Sequence, residues 1–404
     1  MAEGNGTNRT DIARLVARRR PDYALERAFY TDPAIWERDK ERLIFRHWLV
    51  VGHASQLPKP GDYRVEEIAG ESVILARGTD GRIRALANVC RHRGSRVARA
   101  DCGNAKVFIC PYHAWAYNLD GTLRAARHMP ADFDAKAHGL KRLALREIEG
   151  VLLLSFAEEP LGLENVEAAI RTAYEPYGWA RASLAHRALY SIKANWKHAV
   201  ENYLECYHCA PAHPEYSELH ALERPWEELK ALNEKMDART AAMGLAIPNI
   251  DDQWLPSASG QEAVYRFRYP LYEGAATGAA EGKPVAPVMG RLNAHDGAVT
   301  SVHVAPASFL ISYADHGVIY RFVPKTMETS ELEVLWLVRE GAREGVDYDK
   351  DALTWMWRVT SEADIRITED NYAGVTSRFY EPGPLAPMEP NLKRYLPWYL
   401  GEIA

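Results

Sequence analysis

Two cysteines and two histidines occur as two closely spaced pairs in the first third of the chain. One residue separates Cys90 from His92, two separate Cys110 from His113, and seventeen residues lie between the pairs. Thiolates bind the iron of iron–sulfur clusters, and two imidazoles in place of two thiolates raise the reduction potential of a [2Fe–2S] cluster. A zinc site is the alternative, but the C-x-H spacing is unusual for zinc. The pattern therefore predicts a Rieske-type [2Fe–2S] cluster that relays single electrons.

Two more histidines, His208 and His213, lie at the end of a segment with helical periodicity and just beyond it. We expect this helix to run from Asn195 to His208. One face of this predicted helix is aromatic and apolar, while the opposite face is polar, which indicates a site within the fold. His208 lies on the polar face, and His213 follows it between two prolines. Two histidines at this spacing can also be ordinary surface residues, and Cys206 with Cys209 leaves a zinc or redox motif open.

A carboxylate is needed to complete a site of two histidines and one carboxylate, which is typical of non-haem Fe(II) oxygenases. Such a triad covers one face of the iron and leaves the other for dioxygen and substrate. The best candidates lie far downstream, in and near Ile367–Asn371. Asp370 is the preferred ligand, and Asp364 and Glu369 are the alternatives.

The two predicted metal sites lie in different parts of a chain whose 404 residues suggest two domains. Short β-rich segments separated by glycines predict an all-β domain over 46–158, after leading helices at 1–45. Residues 159–404 combine five predicted strands between 264 and 339 with a long helix over 349–378. The fold class is therefore α+β.

Composition excludes several classes of function. A formal net charge of −6 gives no support for nucleic-acid binding. No apolar stretch of about 18 residues predicts a membrane span. Five cysteines and no recognisable secretion signal lead us to expect a cytoplasmic protein.

The two constellations, in this order, resemble the oxygenase α-subunits of Rieske non-haem iron oxygenases, from about residue 40 to the end. The resemblance implies an N-terminal Rieske domain and a catalytic domain of helix-grip type, in which a curved antiparallel sheet wraps a long helix. It assigns the cluster to Cys90, His92, Cys110 and His113. It assigns mononuclear Fe(II) to His208, His213 and Asp370.

The resemblance also implies assembly and partners. In such proteins a carboxylate connects the cluster of one subunit with the iron of its neighbour, here His113 to Glu205 to His208, which implies a ring that is usually a homotrimer. No G-x-G-x-x-G sequence follows a strand, so a separate NAD(P)H-dependent reductase should supply the electrons.

Glu205 stands where most members of the family have Asp, and this feature resembles the branch that acts on quaternary ammonium compounds such as carnitine and glycine betaine. A trimethylammonium group donates no hydrogen bonds and needs aromatic rings around it. Tyr203, on the predicted iron-bearing helix, is the preferred pocket residue. Six other aromatic candidates in the catalytic half are Trp254, Tyr265, Phe267, Tyr269, Phe309 and Tyr313.

The predicted reaction is therefore N-demethylation or C–N cleavage of such a compound, using O2 and two electrons. One alternative is an oxygenase that hydroxylates or O-demethylates an aromatic acid. The other is a Rieske electron carrier without chemistry of its own, against which about 240 residues beyond the cluster domain argue.

Overall fold

The structure is a computed structural model that describes residues 11–221, 225–247, 253–256 and 263–404. The strands are β1 (Leu49–His53), β2 (Asp62–Ile68), β3 (Glu71–Arg77), β4 (Ile83–Ala87), β5 (Cys102–Asn104), β6 (Phe108–Ile109), β7 (Ala116–Tyr117), β8 (Leu123–Ala125), β9 (Arg142–Ile148), β10 (Val151–Ser155), β11 (Ser183–Ile192), β12 (Gln253–Pro256), β13 (Ala263–Pro270), β14 (Ala298–Val304), β15 (Ser308–Ser312), β16 (Gly317–Pro324) and β17 (Ser330–Val338). The α-helices are α1 (Ile12–Arg18), α2 (Ala28–Thr31), α3 (Pro33–Asp39), α4 (Glu164–Tyr174), α5 (Trp196–Tyr203), α6 (Cys209–Ala212), α7 (Pro214–Ser217), α8 (Trp226–Ala242), α9 (Lys350–Val375) and α10 (Pro390–Ile403).

The N-terminal half is built on antiparallel strands, as predicted. Seven strands form one sheet in the order β1-β10-β9-β4-β3-β2-β5, and β6, β7 and β8 form a small second sheet. The hairpin between β2 and β3 turns through Ala69 and Gly70, both at positive φ, which matches the right-handed twist of the strands. The segments that carry the two predicted cluster pairs follow β4 and separate β6 from β7.

The C-terminal half contains a seven-stranded antiparallel sheet in the order β11-β17-β16-β15-β14-β13-β12. Its central strands are nearly continuous in apolar residues because both faces are covered. On β17, Val334 and Trp336 pack towards α5 and α9, whereas Leu335 and Leu337 pack towards α4. The curved sheet around the long helix α9 confirms the predicted α+β fold class.

The leading helices and the last helix pack against the catalytic sheet and α5. Phe29 and Tyr30 share one hydrophobic cluster with Trp196 and Tyr399. Helix α3 begins at Pro33, because the Asp32 carboxylate accepts the N–H of Ala34 at 2.8 Å and Pro33 occupies the first turn. The domain boundaries at residues 45 and 158 remain predictions.

One predicted helix needs correction, and one helix of the structure was not predicted. The helix expected over 195–208 ends at Tyr203, because the Glu205 carboxylate accepts the N–H groups of Tyr207 and His208 that would otherwise continue the helix. Helix α10 was not predicted.

Among the described residues, no helix is long and apolar enough to span a membrane.

Candidate functional site

The two cluster loops have the same backbone hydrogen-bond pattern. The N–H of Cys90 donates to the carbonyl of Ser95 at 2.8 Å, and the N–H of Cys110 donates to that of Trp115 at 2.8 Å. Four residues after each cysteine, an N–H donates back to the cysteine carbonyl, from Gly94 at 2.9 Å and from Ala114 at 3.1 Å. Both of these residues adopt positive φ, at 79° and 57°. Since a non-glycine residue rarely adopts this conformation, Ala114 shows that the fold holds the second loop in a fixed shape.

The four predicted cluster residues converge at the tip of these loops. The two cysteines are 3% and 2% exposed, whereas His92 and His113 are exposed. The two histidine Nδ1 atoms lie 3.1 Å apart, and the ring of Trp115 stacks on that of His92 with centroids 5.0 Å apart. The thiolates therefore form the inner side of the site and the imidazoles form the outer side.

This arrangement fits a [2Fe–2S] cluster. Two ligands about 2.1 Å from one metal ion lie about 3.4 Å apart in tetrahedral geometry, close to the separation of the two Nδ1 atoms. Burial raises the pKa of the Cys110 thiol, but the N–H of Tyr112, the side chain of Cys90 and the N–H of His113 outweigh it and lower the pKa below its usual value. The environment of Cys110 thus favours the thiolate form that iron binds. The hydroxyl of Tyr117 lies 3.2 Å from the Cys90 sulfur.

The second site brings His208, His213 and Asp364 together. Their ligand atoms all lie within 4.8 Å of one another. Asp364 Oδ1 is 2.8 Å from His213 Nε2 and 3.3 Å from His208 Nε2. Octahedral ligands about 2.1 Å from one ion are separated by about 3.0 Å, so these distances fit a facial triad on Fe(II).

The structure does not bring the preferred Asp370 to the two histidines, and Asp364, one of the two alternatives, lies beside them instead. Both residues lie on α9, but six residues correspond to about 9 Å along the helix and about 240° around it, so they face different directions. Asp370 is exposed. Glu369, the other alternative, accepts the N–H of Lys193 at 2.8 Å.

Neighbouring groups fix the orientation of the triad. Glu205 Oε1 lies 2.6 Å from His208 Nδ1, so Nε2 of this ring is the atom that faces Asp364. Asn202 Nδ2 donates to Asp364 Oδ1 at 2.8 Å. Burial lowers the pKa of His208, but hydrogen bonds to the two carboxylates raise it to about 9. The imidazole therefore lies in a strongly negative environment that suits a metal cation.

The polar face predicted for the helix over 195–208 lies in two environments: its first part contacts the leading helices, and its last part lies at the triad. Its first members, His198 and Glu201, face the leading helices. The His198 ring stacks on that of Tyr30 at 4.0 Å, and the Tyr30 hydroxyl donates to Glu201 at 2.8 Å. Cys206 and Cys209, on either side of His208 in the sequence, are joined to each other in a disulfide.

A cavity of about 140 Å³ opens at the triad. Helices α5 and α9 bound one side, and strands of the catalytic sheet bound the other. Its lining is rich in aromatic side chains: Tyr203, Tyr216, Phe267, Tyr269, His303 and Trp357. The acidic groups among the described lining residues are the carboxylates of Glu205 and Asp364, both of which contact His208, and this part of the lining contains neither Lys nor Arg.

The aromatic pocket candidates can now be placed. Tyr203, Phe267 and Tyr269 line the cavity. The ring of Tyr203 contacts that of Phe309 at 4.1 Å, so Phe309 supports the wall from behind. The side chain of Trp254 lies outside the described residues. Sequence reasoning missed Tyr216 and Trp357.

Comparison with known proteins supports the same organisation. A family model described as Rieske [2Fe-2S] domain matches residues 47–144. A model described as ring hydroxylating alpha subunit (catalytic domain) matches residues 164–403. The glycine betaine monooxygenase oxygenase subunit of Pseudomonas aeruginosa is 32% identical over 403 residues, covering 97% of this chain and 91% of that protein. The carnitine monooxygenase oxygenase subunit of Escherichia coli K12 is 30% identical over 360 residues, covering 87% and 84%.

Solved structures agree in fold. A crystal structure of the quaternary ammonium Rieske monooxygenase CntA superposes with a TM-score of 0.73 at 22% identity, covering 96% of this chain and 98% of that one. Naphthalene 1,2-dioxygenase from Rhodococcus sp. superposes with a TM-score of 0.65 at 18% identity, covering 94% of each chain. The resemblance inferred from the two motifs is thus confirmed. The chain belongs to the ring-hydroxylating oxygenase α-subunits, with a Rieske [2Fe–2S] domain followed by a catalytic domain for mononuclear iron.

Proposed function

We propose that this protein is the terminal oxygenase of a monooxygenase that oxidises a quaternary ammonium compound, such as glycine betaine or carnitine. The observation that carries this proposal is the cavity beside His208, His213 and Asp364, with aromatic walls and neither Lys nor Arg in its described lining. A quaternary ammonium ion is held by the faces of aromatic rings, each contributing about 0.5–2 kcal/mol. The chemistry of the described lining therefore suits this cation.

The same lining argues against an aromatic acid as substrate. A benzoate carries a net negative charge that no Lys or Arg of the described lining offsets, whereas a betaine is neutral overall. Glycine betaine and carnitine monooxygenase oxygenase subunits stand among the relatives that match along most of the chain. Anthranilate 1,2-dioxygenase large subunit from Acinetobacter baylyi matches 60% of it, at 27% identity.

When bound, the iron supplies activation of dioxygen and the cluster supplies single electrons. We propose that Cys90, His92, Cys110 and His113 hold the cluster, and that His208, His213 and Asp364 hold the iron. The aromatic side chains orient the ammonium head with its methyl groups towards the triad. One methyl carbon gains a hydroxyl group from O2, with two electrons and two protons converting the other oxygen atom to water. The resulting N-hydroxymethyl ammonium ion then releases formaldehyde and a proton and leaves the tertiary amine.

We propose that the two sites work across a subunit boundary in a homotrimer. His113 directs Nδ1 towards His92, so its exposed Nε2 is the atom available to a neighbouring chain. Glu205 Oε2 accepts two backbone N–H groups and Oε1 bonds His208 Nδ1, which leaves one acceptor site on Oε1 for an incoming N–H. Glu205 would thereby connect the partner subunit's His113 with His208 of its own chain.

Exposed apolar residues support this contact. Beside the cluster histidines, Ile109 and Tyr112 are 55% and 56% exposed. Beside Glu205, Tyr207 is 58% exposed, and Met388 is 42% exposed. Met388 precedes Glu389, whose pKa is raised by burial and by the nearby charge of Glu205. Two different patches that complement each other give a head-to-tail contact, which closes into a ring. A separate NAD(P)H-dependent reductase and a cytoplasmic location complete the proposal.

A substrate screen tests the proposed reaction. The holoenzyme with a surrogate reductase is given glycine betaine, carnitine, choline, stachydrine and benzoates, and formaldehyde release and oxygen uptake are measured. We expect formaldehyde in step with oxygen uptake from one or more of the ammonium compounds. The His213→Ala variant should lose turnover but keep the optical and EPR signals of the cluster. Formaldehyde from methoxy-aromatic acids alone would refute the assignment.

Mixed oligomers test the route across subunits. A Cys110→Ala chain lacks a cluster ligand and an Asp364→Asn chain lacks an iron ligand, so each homo-oligomer should be inactive. Co-expressed with two different affinity tags and purified through both, the mixture should regain activity, because one chain offers an intact cluster to the intact iron site of its neighbour. Mixed oligomers as inactive as either parent would contradict electron transfer between subunits.

A further inference from the structure

Two polar side chains of strand β14, Ser301 and His303, line the cavity beside the triad. They are 3% and 5% exposed, and neither forms a side-chain hydrogen bond with another described residue. Residues two apart on a strand face the same side, and their cross-strand neighbours on β13 are Phe267 and Tyr265. The site thus has a polar floor within an aromatic wall.

The surroundings of His303 are aromatic. Its ring lies 4.4 Å from that of Phe309 and 5.3 Å from those of Tyr265 and Phe267. Its Nδ1 atom is buried without a hydrogen-bond partner. A buried polar atom left unpaired costs about 1–3 kcal/mol, whereas phenylalanine could occupy this position without that penalty. An imidazole at the cavity wall is therefore explained by a ligand that pairs with it.

The protonation state limits what this ligand can be. Burial lowers the pKa of His303 to about 3, so the ring is neutral near pH 7 and carries one N–H donor. The hydroxyl of Ser301 supplies a second donor. Two neutral donors in an apolar setting suit a carboxylate, because hydrogen bonds to a charged acceptor are stronger than those to a neutral one.

The two sides of the cavity orient such a ligand. Aromatic rings on the helical side, among them Tyr203 of α5 and Trp357 of α9, hold its cationic end near the triad, while β14 presents the two donors to its anionic end. We propose that Ser301 and His303 bind the carboxylate of a zwitterionic betaine and select it over ammonium ions that lack a carboxylate. This inference rests on the proposed function and sharpens it. The methyl groups then lie at the triad, so an N-methyl carbon is oxidised.

Binding measurements on the holoenzyme test this proposal. The ligands are glycine betaine and tetramethylammonium, which share the ammonium head and differ in the carboxylate. His303→Phe keeps a ring of similar size without the N–H, and His303→Gln keeps an N–H. Ser301→Ala removes the second donor. Calorimetry gives Kd, and steady-state assays give KM and kcat separately.

We expect His303→Phe to raise the Kd and KM for glycine betaine by roughly 10- to 100-fold, the effect of one charge-assisted hydrogen bond. The Kd for tetramethylammonium should change by less than about twofold, and His303→Gln should recover part of the loss. Parent levels of cluster absorbance and iron verify folding. Equal weakening of both ligands, or of neither, would overturn the inference while leaving the proposed function intact. A parent enzyme that oxidises no ammonium compound would overturn both.

Discussion

The Rieske domain meets the catalytic sheet at a buried group of charges, and we predict that Glu333→Gln destabilises the protein strongly. Glu333 on β17 is 1% exposed and forms ion pairs with Arg64 at 2.8 Å, with Arg321 and with Arg187. Glu66, 5% exposed on β2, pairs with Arg64 and lies 2.8 Å from Arg321. The group therefore connects strands of both halves.

The charge balance gives the expected size of the effect. Arg64 and Arg321 are buried and oppose two buried carboxylates, while Arg187 is partly exposed. Removing the charge of Glu333 leaves two buried arginines against Glu66 alone. Breaking a buried ion pair from one side costs about 3–5 kcal/mol. For an unfolding unit of about 200 residues this lowers the melting midpoint by about 10 °C.

The pH dependence has a definite sign. The arginines lower the pKa of Glu333 despite its burial, so its contribution is present above the ordinary carboxyl pKa of about 4.3 and is lost as the pH falls through the folded pKa. The difference between parent and variant should thus be constant near pH 7 and narrow only in acid.

Melting curves of the holoenzyme, followed by far-UV circular dichroism and by cluster absorbance, measure the effect. Glu331→Gln is the matched control, because this residue lies on the same strand and pairs with Lys325 at 3.1 Å near the surface. It should cost less than about 1 kcal/mol. Adding Arg321→Met to Glu333→Gln should recover part of the loss. Equal shifts for the two glutamate variants, or a double variant as unstable as the sum, would refute the reasoning.

Three further changes address the two metal sites. Asp364→Asn should lower the iron content at least tenfold and leave the cluster absorbance intact, while Asp370→Asn should keep its iron, as measured by metal analysis. Loss of iron from Asp370→Asn but not from Asp364→Asn would restore Asp370 as the ligand. Tyr117→Phe removes a hydrogen bond of about 1 kcal/mol to the Cys90 sulfur, so the reduction potential of the cluster should fall by on the order of 40 mV. A redox titration measures the shift, and Tyr112→Phe is the control that should leave the potential unchanged. Glu205→Asp should slow cluster oxidation in a single turnover, because the shorter side chain cannot hold His208 Nδ1 at 2.6 Å, and an unchanged rate would show that the extra methylene has no special role.

The fold followed from the sequence where local patterns were strong. The last of the five strands predicted between 264 and 339 corresponds to β17, and the helix predicted over 349–378 corresponds to α9. The predicted end of the helix over 195–208 was wrong. The polar and apolar pattern continues beyond Tyr203, but the Glu205 side chain accepts the backbone N–H groups that would extend the helix. Periodicity describes which face is apolar and contains no information about such competition.

The preference for Asp370 over Asp364 has a related explanation. On α9, Trp357, Ser361, Asp364 and Thr368 recur at helical spacing and face inward, whereas Asp370 shares the exposed face. The sequence signal for the ligand was therefore Asp364, an acidic residue among the inward-facing positions of the helix. The polar floor of the cavity had no such signal, because a serine and a histidine on an apolar strand acquire meaning only once the sheet places them beside the triad.

The exposure of the ligands explains why the two metal sites need different settings within one chain. An electron relay must approach its partner closely, and the cluster loops accordingly present His92 and His113 to the surface while burying the cysteines. A site that activates dioxygen must instead control access, and His213 is 2% exposed at the cavity. Within one chain the exposed imidazoles have no described partner apart from each other and neighbouring rings. A second copy that docks Glu205 against His113 satisfies both requirements at once, so oligomerisation would be part of the catalytic design.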